Sequence, residues 1–180
     1  TIMFTDFQAF TKYSHTLSPE VLVKTVDYYF SKFDEIIEKY SLEKIKTIGD
    51  AYMCAGGLTN DSTDHIIQII QAAFEIKAFV EETKQLSNND IAHFNIRIGI
   101  NTGAVVAGVV GKKKFAFDIW GDAVNVASRM ESNSEPGRIN VSENTYQHLK
   151  DRHHFTYRGV IEAKNKQLLK MYYAEKKLVI

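Results

Sequence analysis

The residues of this chain best suited to chemistry are few, and their surroundings say what that chemistry would be. Asp6 closes an apolar run that starts at Thr1, and Asp50 sits in a Gly49-Asp50 turn between two short strand-like runs. If those runs share a sheet, the two carboxylates converge at one sheet end, where they repel unless a cation lies between them. Mg²⁺ suits such a place, because it takes hard oxygen ligands, often one or two carboxylates together with substrate phosphates. A plainer reading stays open here: Asp6 caps a turn, and Asp50 is the ordinary acid of a Gly-Asp turn. Three further fragments bear on the choice. Lys46-Thr47-Ile48-Gly49-Asp50 places a lysine on the strand leading into the acidic turn. Phe117-Asp118-Ile119-Trp120-Gly121 places an acid just before a helix, and Asn125-Val126-Ala127-Ser128-Arg129 puts an amide and a guanidinium at i and i+4, on one helical face.

The elements that must position these groups follow from periodicity. Thr1 to Phe7 reads as a buried strand. Ser18-Pro19-Glu20 announces a helix, with a capping Ser, Pro at the first helical position and an acid in the first turn. Leu22, Val26, Tyr29, Phe30, Phe33, Ile37 and Tyr40 give it one apolar face. Glu43 to Ile48 and Ala51 to Ala55 read as strands around the tight turn. A second amphipathic helix runs from about Asp64 to Thr83, and Phe94, Ile96, Ile98 and Ile100 alternate as a strand. The order strand, helix, strand, strand, helix, strand is the ferredoxin-like split βαβ unit, an antiparallel sheet with helices on one face. Beyond it come a hairpin (Val105 to Gly111, Phe115 to Ile119), a helix from about Asp122 to Glu131, a strand from Arg138 to Val141, and a helix capped by Ser142. Two closing strands, Phe155 to Arg158 and Leu168 to Ala174, complete one α+β domain over residues 1–180.

Bulk composition narrows the function classes. The chain has 180 residues, 44% hydrophobic and 24% charged, with two prolines, as expected of one compact domain without disorder. Its 22 basic and 22 acidic side chains cancel, and Lys112-Lys113-Lys114 is the only basic block, read as a solvated hairpin tip. Nucleic acid is therefore not an expected partner. Cys54, the single cysteine, allows no internal disulfide and reads as a small buried hydrophobe. With no apolar run of membrane-spanning length, the expected location is cytoplasmic. An apolar run is already under way at Thr1, which leads us to expect a piece of a longer chain, with a regulatory or sensor domain, and any membrane anchor, elsewhere. His148, His153 and His154 lack the Cys or acid spacing of a zinc site and read as a solvated turn.

The fragments together resemble the class III adenylyl/guanylyl cyclase catalytic domain over essentially the whole chain. The resemblance rests on Phe4-Thr5-Asp6-Phe7-Gln8-Ala9-Phe10-Thr11, Lys46 to Asp50, Arg97-Ile98-Gly99-Ile100-Asn101-Thr102-Gly103, Phe117 to Gly121, and Asn125 to Glu131, five segments in the right order. It implies that Asp6 and Asp50 bind two Mg²⁺ or Mn²⁺ ions, with the Phe7 carbonyl as a further ligand. It also implies that Lys46 and Asp118 read the purine, and that Asn125 and Arg129 orient the ribose and stabilise the transition state. Arg97 and Lys164 would contact the terminal phosphates. The metal residues would come from one protomer and Lys46, Asp118, Asn125, Arg129 and Lys164 from the other, in a homodimer. Backbone amides between Phe7 and Thr11, Phe10 among them, would cradle phosphates.

The base-reading pair favours ATP. Adenine offers a donor at N6 and an acceptor at N1, which suit an Asp118 acceptor and a Lys46 donor, whereas guanine presents the opposite pattern. The expected reaction is conversion of ATP to 3′,5′-cyclic AMP and pyrophosphate. A guanylyl cyclase is one alternative, and a catalytically silent nucleotide-binding or dimerisation module is another. Ala9 stands where the family commonly has Gly, and Asn165 where a Gly often follows the lysine, so Lys164 also reads as a solvated loop residue. Arg97 also reads as a structural cation of its strand, and Trp120 as core.

Overall fold

The computed structural model describes residues 1–59, 63–85, 91–113, 115–162 and 168–176. Chain order is β1 (Ile2–Phe7), α1 (Phe10–Ser14), α2 (Pro19–Lys39), β2 (Glu43–Ile48), β3 (Ala51–Ala55), α3 (Asp64–Thr83) and β4 (Ile96–Asn101). There follow β5 (Val106–Val110), β6 (Ala116–Trp120), α4 (Asp122–Ser132), β7 (Ile139–Ser142), α5 (Glu143–Leu149), β8 (His154–Glu162) and β9 (Leu168–Glu175). The caps fall where the sequence puts them: the Ser18 hydroxyl accepts from the Val21 N–H at 3.3 Å, and the Ser142 hydroxyl accepts from Thr145 N–H at the same distance.

Seven strands form one sheet in the order β2-β3-β1-β4-β7-β9-β8, and β5 and β6 form a separate two-stranded sheet. The first four strands, with α2 and α3, are the split unit, with β1 between β3 and β4. Beyond it the sheet is mixed rather than antiparallel. β4 and β7 pair in parallel. Parallel neighbours need a crossover, and the crossover between β4 and β7 carries the β5–β6 hairpin and α4.

Alternation along β1 shows how the helices divide between the faces. Met3 and Phe7 face the larger core, where α2 and α3 bring Tyr29, Phe33, Ile69, Ile70 and Ile76. Each such side chain, fully buried, contributes about 1.5–3 kcal/mol relative to an exposed one. Ile2 and Phe4 point the other way and pack with Met53, Ile119, Ala123 and Ala127, so α4 covers the opposite face. Cys54 is buried, as expected. Trp120 is not core: it is 40% exposed on the hairpin, with Val106, Val109, Val110, Phe115 and Phe117 also exposed there. Among the described residues, no helix is long and apolar enough to cross a membrane.

Two backbone positions fix the geometry near Asp6. Gly99 on β4 is the point of closest approach to α4, because a Cβ built there would lie 1.9 Å from the Glu131 backbone nitrogen. Only glycine lets α4 lie this deep on the sheet. We predict that Gly99→Ala costs about 3 kcal/mol, since the clash is with backbone and must push α4 outward. Urea unfolding checks this, and an unchanged midpoint would show that the helix tolerates displacement freely. The other position is Ala9, the N-cap of α1, at φ 60° and ψ 22°. This left-handed conformation is costly for a residue with a Cβ, which accounts for the usual preference for Gly there. Ala9→Gly should stabilise the fold by about 1 kcal/mol, a rise of about 2–4 °C in melting temperature for a chain this size. Calorimetry showing a fall instead would mean that the strain at Ala9 is negligible.

Candidate active site

The site is built around the exit of β1. Asp6 pairs across the sheet with Ala51 on β3 and with Arg97 on β4. Asp50 immediately precedes Ala51, in the turn where Gly49 takes φ 61°, so the hairpin delivers a second carboxylate beside the first. The two acids are near enough for each to feel the other's charge. Burial, and then the neighbouring Asp6 charge, push the Asp50 carboxyl above the usual carboxylate range. Two hard oxygen ligands held together against their own repulsion are what a divalent cation neutralises, so this donor set fits Mg²⁺ or Mn²⁺. Among the described residues no group of three or more His, Cys, Asp or Glu side chains is placed to share one ion. A cation here would complete its shell from backbone and substrate oxygens.

Arg97, read from sequence as a phosphate contact or a structural cation, lies against Asp6 itself. Its Nη2 donates to Asp6 Oδ2 at 2.5 Å, and its Nε lies 3.1 Å from Glu131 Oε1. The second approach is close but out of line, so neither Arg97 Nε nor Glu131 Oε1 completes a hydrogen bond. Glu131 is buried on α4. Burial, and then the Asp6 charge, push its carboxyl up to about 7, although Arg97 and the Ser132 hydroxyl pull the other way. Sequence reasoning gave Glu131 no role. The available signal was an acid directly following Ala123, Ala127 and Met130, the buried stripe of α4.

Lys46 and Asp118, 72 positions apart, meet between β2 and β6: Lys46 Nζ donates to Asp118 Oδ2 at 2.5 Å. Ile119 N–H donates to the other Asp118 oxygen at 2.9 Å. Partial burial works against ionisation of Asp118, but the Lys46 ammonium and the Ile119 amide outweigh it and hold the carboxyl below its usual range. The result is a fixed donor beside a fixed acceptor.

Asn125 and Arg129 lie on α4, Asn125 exposed and Arg129 half-buried. Neither side chain has a hydrogen bond or ion pair among the described residues. Arg129 and Glu131 are two residues apart, hence about 200° apart around the helix. Glu131 faces Arg97 and Asp6, so Arg129 points away from them. The structure does not bring Asn125 and Arg129 to the carboxylate pair of the same chain.

Of the backbone amides between Phe7 and Thr11, fewer are open than the sequence suggests. Phe7 buries its ring against Tyr29 and Phe94, with centroids 4.9 and 5.2 Å away, so only its backbone is available. Gln8 N–H is taken up by the Asn95 carbonyl at 2.8 Å. What remains is the first turn of α1, with the amides of Phe10 and Thr11, where helical N–H groups lack intrahelical partners. The Phe10 ring packs on Phe94 at 5.7 Å. Sequence periodicity did not reveal α1, whose five residues are too few to show it. Lys164 lies outside the described residues.

Known proteins resemble this chain in sequence and fold. An adenylate cyclase of Mycobacterium tuberculosis is 38% identical over 172 residues, spanning 96% of this chain and 38% of that protein. A membrane guanylyl cyclase of Dictyostelium discoideum is likewise 38% identical over 176 residues, 96% of this chain and 12% of that protein. The chain thus spans well under half the length of these relatives. In three dimensions it resembles the guanylate cyclase domain of RhGC from Catenaria anguillulae, solved with GTP, with TM-score 0.88, 32% identity, and 98% and 95% of the two chains covered. It equally resembles the adenylyl cyclase CyaB of P. aeruginosa, with TM-score 0.89, 26% identity, and 99% and 94% covered. Residues 1–176 match the adenylate and guanylate cyclase catalytic domain, and with the seven-stranded sheet and the relatives above this places the chain in that family.

Proposed function

We propose that this domain is an adenylyl cyclase, converting ATP to 3′,5′-cyclic AMP and pyrophosphate at sites shared across a homodimer. The observation that carries the choice of base is the Lys46–Asp118 contact. It presents a hydrogen-bond donor and an acceptor side by side, complementary to adenine N1 and the N6 amino group and opposed to guanine. A buried polar mismatch there discriminates by orders of magnitude. The relatives do not decide the matter, since an adenylate and a guanylyl cyclase are equally similar in sequence.

In the proposed reaction the ribose 3′-oxygen forms a bond to the α-phosphorus while the bond from that phosphorus to the pyrophosphate oxygen breaks. The 3′-hydroxyl proton leaves to solvent. Asp6, Asp50 and the Phe7 carbonyl would hold two Mg²⁺ or Mn²⁺ ions, whose chemistry is to acidify the hydroxyl and neutralise the leaving pyrophosphate. Arg129 offers a fixed fork of donors to the phosphoryl oxygens, where charge is spread in the transition state. Asn125 holds the ribose so that its hydroxyl lies in line. Arg97 and Lys164 take the terminal phosphates, and the first-turn amides of α1 at Phe10 and Thr11 support them.

Two observations support a second copy of this chain as partner. Arg129 points away from its own Asp6, so one chain alone does not assemble the full set of roles. The β5–β6 hairpin exposes Val106, Val109, Phe115 and Phe117, an apolar surface suited to another copy. The modest share of each relative that the chain spans supports residues 1–180 being one catalytic domain of a longer protein.

Purified domain given Mn²⁺ should make cyclic AMP from ATP, lose all turnover with a chelator, and prefer ATP in direct competition with GTP. Preference for GTP would sink the base-reading argument. Asp6→Ala and Arg129→Ala proteins should each be nearly inactive, yet regain activity when mixed. With free exchange half the dimers are mixed, each with one intact site, so recovery approaches roughly a quarter of wild type. No recovery, with exchange shown by co-purification through two tags, would refute a shared site.

A further inference from the structure

We infer that Glu131 is a positioning residue of the metal site: from the contact between β4 and α4 it holds the Arg97 guanidinium and so keeps Asp6 open to a divalent cation. The inference rests on the proposed reading of Asp6 and Asp50 as metal ligands.

The argument begins with Arg97, whose side chain is 29% exposed and always charged. A largely buried cation needs a counter-ion, and two carboxylates touch this one. Asp6 receives the Nη2 hydrogen bond, and Glu131 stands 3.1 Å from Nε. A divalent ion on Asp6 repels the guanidinium that donates to Oδ2. That repulsion favours a turn of Arg97 toward its other partner. Glu131 is prepared for this. Its Oε1 and the Arg97 Nε are both buried and both without a hydrogen bond, so a small rotation brings into line a pair that is already in reach. The other Glu131 oxygen accepts from the Ser132 hydroxyl at 3.3 Å, which leaves Oε1 for Arg97.

The fold holds Glu131 at this depth. Gly99, two residues beyond Arg97 on the same face of β4, lets the Glu131 backbone sit against the strand. Asn140 Nδ2 donates to the Met130 carbonyl at 2.8 Å and ties the last turn of α4 to β7. Glu131 is not itself a third ligand, since no group of three acids in the described residues is placed around one ion. Its influence on the ion runs through Arg97. Without the Glu131 carboxyl, Arg97 has only Asp6 as an acid partner, and the guanidinium and the metal compete for one carboxylate.

The test is Mn²⁺ binding to the nucleotide-free protein, followed by electron paramagnetic resonance of the unbound ion. Five variants accompany wild type: Glu131→Gln, Glu131→Asp, Arg97→Met, the double variant Arg97→Met/Glu131→Gln, and Asp6→Ala. Glu131→Gln should weaken Mn²⁺ binding about tenfold, a usual size for loss of a group that supports a metal ligand. Glu131→Asp, which keeps the charge but withdraws it, should fall between, and it carries the test if the Gln protein does not fold. Arg97→Met should bind Mn²⁺ at least as tightly as wild type, and adding Glu131→Gln to it should change the affinity by less than about twofold, as expected of a residue acting through Arg97. Unchanged affinity in both single Glu131 variants overturns the proposal. So does an equal loss with and without Arg97, which would make Glu131 a direct field or ligand effect. If wild type binds no Mn²⁺ that Asp6→Ala removes, the metal-site reading itself fails, and the role of Glu131 fails with it.

Discussion

Everything at this site follows from one repulsion. Burial, and then the nearness of Asp6, raises the Asp50 carboxyl, and strand pairing keeps the two acids side by side. The acids are kept together because neither is free to leave. Asp6 is locked into the central strand by pairing on both sides, and Asp50 is one residue ahead of a register that matches Ala51 to Asp6. Strand pairing is cooperative over all of β1, β3 and β4, so the cost of holding two like charges is spread across a sheet that the aromatic core supports. A ligand pair on loops would simply swing apart.

Compensation for that repulsion explains the ion pairs nearby. Arg97 is directly opposite Asp6 on β4, a cross-strand position where opposite charges attract. It supplies a positive charge beside the two acids. An internal partner is also found in the proposed base site, where Lys46 and Asp118 neutralise each other at 2.5 Å. The pair is thus held in place without substrate, with the Asp118 carboxyl kept below its usual range.

Most of this was legible in the sequence, and the parts that were not have physical reasons. Long elements with clear periods (α2, α3 and the alternation of β4) fall where the pattern put them. Position alone leaves Asp6 and Asp50 open to a plain turn reading. It is the resemblance across five segments that joins them with Lys46 and Asp118, and the structure does bring Lys46 to Asp118. The position of α4 on the opposite face was not legible, since an apolar stripe says that a face is buried but not against which side of a sheet. Trp120 reads as core because large aromatics usually are, and sequence alone does not reveal that its hairpin stands apart from the main sheet. Glu131 was passed over because an acid on a helix is normally solvated. Only the depth set by Gly99 makes it a buried partner of Arg97.

The two sides of α4 bear on why such a domain would work in pairs. Its inward side, with Ala127, Met130 and Glu131, is consumed by the sheet and by Arg97. Its outward side carries Asn125 and Arg129 with no partner among the described residues. A rigid helix cannot turn both sides toward the same carboxylates, because about 200° separates Arg129 from Glu131. If both sides act on one nucleotide reaction, the outward residues must serve a site whose carboxylates lie in another molecule. A two-fold axis then satisfies both chains with one interface. On this view the exposed apolar hairpin and the unpartnered Arg129 have a common origin: each is a surface complete only when a second copy is present.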